Sequence, residues 1–85
     1  MTFDGAVVRE QGVTFALAIV KSYVLNSPSD CADAQRGFGQ VFPGLPVVLV
    51  AQDSRGTPTY FGRRDIVDFM ARVPMSAVQW KRYNA

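Results

Sequence analysis

Two uninterrupted apolar runs, "FALAIV" from Phe15 to Val20 and "VVLVA" from Val47 to Ala51, constrain this chain more than any other feature. Neither run alternates with polar residues, which suits strands buried on both faces. Between them "NSPSDCADAQRGFGQV" reads as a helix, with Ser27 as N-cap, Pro28 at the first helical position and Asp30 completing a variant of the capping box. Cys31, Ala34, Phe38 and Val41 share one face at helical spacing. Gly37 and Gly39 each weaken that helix by ~1 kcal/mol relative to Ala, which predicts a frayed last turn before "FPGLP" ends it. A helix between two buried strands implies a right-handed parallel crossover.

The remaining segments build on this unit. "GAVVRE", the turn "QG" and the first apolar run read as a strand, a hairpin turn and a second strand. "TPTYFG" is a shorter strand beyond the turn "SRG". In "RRDIVDFMARV", Ile66, Phe69, Met70 and Val73 form one helical stripe, and Pro74 stops it. The tail "SAVQWKRY" alternates, with Val78 and Trp80 on one face and Gln79, Lys81 and Tyr83 on the other, as an edge strand does. The order is ββαββαβ. It predicts a single α+β domain over residues 1–85, a two-layer sandwich with both helices on one mixed five-stranded sheet, in a ferredoxin-like or thioredoxin-like arrangement.

Composition narrows the chemistry. An apolar content of 48% is too high for disorder. The chain has no histidine and one cysteine, Cys31, so within it no imidazole base, histidine-ligated zinc, CxxC redox pair or disulfide arises. No metal or other cofactor is implied. The opening "MTFDGAVVRE" lacks a basic segment followed by an apolar one, and "VTFALAIV" is far shorter than the ~20 residues of a membrane helix, so a cytoplasmic setting is expected. The net charge of +2 weakly favours anionic partners and is too small to imply nucleic-acid binding.

The densest run of turn and charge signals is "QDSRGTPTYFGRRD". Asp53 and Ser54 favour turn entry and Gly56 supplies a positive φ, so half the run needs no ligand. Arg63 and Arg64 stand at a helix start, where the macrodipole is already positive and an anion is favoured. The structural alternative has Asp65 capping the helix and Asp68 paired with Arg64 and Arg72, each four residues away. The tail offers Trp80, Lys81, Arg82 and Tyr83, which suit base stacking, a dimer seam, or core packing by Trp80 with Lys81 and Arg82 guarding an edge. Asp30 with Asp33, and Asp65 with Asp68, are acid pairs in first helical turns, where dipole and capping already favour them. The expected contact surface comprises Asp53, Arg55, Thr57, Arg63, Arg64, Trp80, Lys81 and Arg82.

Cys31 in the first turn of a helix, "GLPVVLV" with Pro46 leading a strand, and "FGRRDIVDFMARV" together resemble parts of thioredoxin-like proteins. That resemblance implies a reactive thiol at Cys31. The register with Ala34 and Phe38 points Cys31 inward instead, and the second cysteine is missing. "VREQGVTFALAIVK" followed by "PVVLVAQDSRGTPTYFGRRDIVDF" resembles a group of short bacterial proteins of unknown function, such as orphan reading frames and mobile gene cassettes carry. This likeness spans most of residues 7–83 and implies a free-standing bacterial protein without assigning an activity. The functional expectation is a non-enzymatic binding module, dimeric, for an anionic small molecule or an acidic protein surface. A thiol-based redox domain and a nucleic-acid-binding protein are the alternatives.

Overall fold

The two apolar runs lie side by side. In the computed structural model, which describes residues 2–10 and 12–84, five strands form one mixed sheet. They are β1 (Thr2–Glu10), β2 (Val13–Ile19), β3 (Val47–Gln52), β4 (Pro58–Phe61) and β5 (Lys81–Asn84). Gln11 of the expected "QG" turn and Ala85 of the tail lie outside the described residues. The strand order is β4-β3-β2-β1-β5. Only β2 and β3 are parallel, with Ala16 opposite Val47 and Ile19 opposite Val50; the other three pairings are antiparallel. The crossover between them holds the helix α1 (Pro28–Val41), and α2 (Arg64–Met70) follows β4.

The expected α+β fold, with five strands and two helices in the order ββαββαβ, is the one that forms. The helices differ from expectation in placement, because they cover opposite faces. Cys31, Phe38 and the following Phe42 pack with Ala16, Ala18, Val47 and Leu49, whereas Ile66 and Met70 of α2 pack with Phe15, Leu17, Val48 and Val50. Alternate residues of one strand point to opposite faces, so these are two cores divided by the sheet. The result is three layers, which a ferredoxin-like layout with both helices on one face does not give. The physical reason lies in the apolar runs: a strand apolar at every position exposes one apolar face unless both are covered.

Local signals explain most boundaries. Ser27 is the N-cap of α1, its hydroxyl accepting from the Asp30 amide at 3.4 Å, and Pro28 begins the helix. Despite Gly37 and Gly39, α1 continues to Val41, since Phe38 and Phe42 anchor its final turn in the core. Helix α2 stops at Met70, short of the expected Val73. Val73 precedes Pro74, and the residue before proline is disfavoured in helical conformation. The chain from Met75 to Ala77 is a 3-10 turn and not a strand, so β5 is only the end of the alternating tail. A second 3-10 turn, Ser22–Asn26, joins β2 to α1. Among the described residues no helix is long and apolar enough to cross a membrane.

Candidate ligand groove

The expected contact surface is not gathered in one place. The turn from Asp53 to Thr57 closes the β3–β4 hairpin at one end of the sheet, and Arg63 and Arg64 follow β4 at the other end. Lys81 and Arg82 belong to β5 at the opposite edge, four strand spacings or about 19 Å across the sheet. Trp80 precedes β5, and its side chain turns into the α2-side core.

Each of these segments is engaged locally. The Asp53 carboxylate accepts from the Arg55 and Thr57 amides at 2.8 and 2.9 Å. Gly56 takes φ of 80°, so an aspartate-anchored turn accounts for this stretch. Asp65 does not cap α2. Because the helix starts at Arg64, Asp65 lies one residue inside it, and the Arg63 guanidinium donates to both its oxygens at 2.7 and 2.8 Å. That contact holds the Asp65 carboxyl down at about 2 and raises the Arg63 guanidinium above its ordinary value. Arg64 stands 3.6 Å from Asp68. Arg72 falls beyond the helix end, so the expected Asp68–Arg72 pairing is not among the ion pairs.

At the far edge, Arg82 donates to Asp4 across the β1–β5 pairing at 2.8 Å, and Lys81 is exposed. Trp80 is half-buried in the α2-side core, its indole N–H donating to the Met75 carbonyl at 3.1 Å. Tyr60 also reaches Met75, its hydroxyl 3.5 Å from the sulfur, and burial raises its pKa. Cys31 is 1% exposed and its thiol donates to the Val24 carbonyl at 3.4 Å. Of the two expected acid pairs, only Asp30 and Asp65 lie in first helical turns; Asp33 pairs with Arg36, Asp65 with Arg63 and Asp68 with Arg64. Among the described residues, no three metal-ligating side chains converge.

A different site emerges on the α1 face. Past Ile19 the chain leaves the sheet, makes the 3-10 turn and enters α1, leaving a groove of about 630 Å³ between that turn, α1 and the start of β1. Phe3 and Phe38 form its floor, their centroids 4.6 Å apart. Val20, Val24, Ala34 and Gly37 line its sides. Its rim carries Thr2, Lys21, Tyr23 and Asp33, with Tyr23 63% exposed. Phe3 is fixed from behind by Tyr83, which also packs edge-on against Phe42.

None of these groove residues belonged to the surface expected from sequence. Two signals for them exist in the chain: the apolar stretch "YVL" in the connection before Ser27, and a glycine inside a helix with no turn to make. Compared with protein-family models, with curated proteins and with solved structures, the chain matches none. The resemblances drawn from its sequence therefore gain no support from these comparisons.

Proposed function

We propose that this chain is a small, non-enzymatic binding module whose ligand occupies the groove between α1 and the first two strands. The groove itself carries the reading. Its volume of about 630 Å³ suits a small molecule, its walls are apolar and its few polar groups stand at the rim. It opens at the carboxyl end of β2, beside the parallel pair, the end at which α/β sheets take ligands. A binding role also suits a chain without histidine whose one thiol is buried. A reducing, cytoplasmic compartment suits the same thiol.

The test is an NMR titration with N-phenyl-1-naphthylamine, an uncharged aromatic probe. Amide shifts confined to Val20, Ala34, Gly37 and their neighbours support the groove. Shifts at Thr59 and Arg63 instead, or none at all, reject it.

A homodimer is the second reading, and Phe61 favours it. This side chain is 41% exposed on β4, an edge strand. An edge offers unpaired backbone groups to a second copy. Light scattering that reports two chains in the native protein and one in Phe61→Lys supports this arrangement; a monomeric native protein ends it.

A further inference from the structure

Two observations at the groove bear on the chemistry of its ligand. The first is charge. Lys21 and Asp33 both stand at the rim, but Asp33 is already paired with Arg36. Lys21 makes no ion pair among the described residues. The one acid of the rim is therefore engaged by Arg36, which leaves one ammonium, that of Lys21, to a ligand.

The second is Gly37. It lies inside α1, and a Cβ built there meets nothing within 4 Å. Neither packing nor a positive φ asks for glycine at this position, and glycine in a helix interior destabilises it relative to alanine. Gly37 does line the groove, so a side chain there would project into the space a ligand needs. Gly39 is equally unobstructed but does not line the groove, which makes it an internal control.

Resting on the groove reading above, we infer that the ligand is an amphipathic monoanion. Its apolar body lies against Gly37 and Phe38, and its carboxylate or similar acidic end is held by the Lys21 ammonium. Charge-assisted contacts of this kind are the stronger polar ones. Gly37 sets how closely the body approaches the helix.

The experiment compares two fluorescent probes that share one ring system. 1-Anilinonaphthalene-8-sulfonate carries the acid and N-phenyl-1-naphthylamine does not. The native protein should bind both and hold the sulfonate more tightly. Lys21→Ala should weaken the sulfonate roughly tenfold, and Lys21→Glu further, with the uncharged probe unchanged. Gly37→Leu should block both probes and Gly39→Ala neither. Gly37→Met serves if circular dichroism shows that the leucine variant has lost its fold. If the uncharged probe binds at the groove but the sulfonate binds no more tightly, or ignores Lys21→Ala, the anion assignment is overturned while the groove stands. If the folded native protein binds neither probe, both fall together.

Discussion

Phe3 and Tyr83, near opposite ends of the chain, stack with ring centroids 5.4 Å apart and planes inclined by 17°. Their strands are neighbours, with Phe3 opposite Tyr83 in the β1–β5 register. The pair ties the last strand to the aromatic cluster that α1 covers, and it supports the groove floor from beneath. Phe3→Ala should destabilise the protein by about 3–5 kcal/mol. A double-mutant cycle with Tyr83→Ala in urea denaturation should return a coupling of about 0.5–1.5 kcal/mol. Additive single effects would mean that the rings touch without cooperating.

Two glycines should respond to alanine in opposite directions. At Gly5 a Cβ would stand 2.7 Å from the Leu17 carbonyl oxygen, a backbone atom that cannot move aside cheaply. Gly5→Ala should therefore cost roughly 1–3 kcal/mol. Gly37→Ala meets no neighbour and should stabilise by about 1 kcal/mol through helix propensity. Thermal unfolding of both variants in one buffer checks the contrast.

The Arg63–Asp65 contact has a pH signature. The Asp65 carboxyl is lowered from its usual 3.8 to about 2, first by the hydrogen bonds from Arg63. A carboxyl depressed in the folded state adds stability above its unfolded pKa and loses it as pH falls through the folded value. The contribution is thus complete above 3.8 and gone below about 2, and it is small because the pair is exposed. A carbon-detected NMR titration should place the Asp65 midpoint near 2 in the native protein and return it toward 3.8 in Arg63→Gln. The difference in urea midpoint between the two proteins should close over the same acid range.

Cys31 should behave as a core residue. With 1% of its surface exposed, it should react with iodoacetamide only as fast as the protein opens, and at full rate in urea. Rapid labelling of the native state would contradict its place beneath the 3-10 turn.

Trp80→Phe should lose the hydrogen bond to the Met75 carbonyl and part of the indole's packing, at a cost of about 1–3 kcal/mol. Native fluorescence should be blue-shifted relative to the urea-unfolded chain, because the indole is half-buried in the α2-side core. An unshifted emission would place it at the surface.

The legible parts of this protein are those that local chemistry dictates. Ser27 and Pro28 mark a helix start because capping is settled within one turn of chain. The "DSRG" turn can be read because Asp53 satisfies backbone amides at most four residues away. The stripe of Ile66, Phe69, Met70 and Val73 packs on one core, as its spacing requires. The groove escapes such reading, because Phe3, Lys21 and Gly37 come from three segments whose meeting depends on how the sheet is ordered. The Arg63 and Lys81 segments look like one basic site only until the strand order puts them on opposite edges.

What the sequence by itself determined is that two fully apolar strands flank a capped helix, and burial of both their faces follows from the hydrophobic effect acting on every residue of each run. Only the tertiary structure decided that the helices divide between those faces, and where the chain's cations and open surfaces fall. Apolar patterning specifies that a face must be covered and not which segment covers it. That choice rests on strand pairing and packing between residues far apart in the chain.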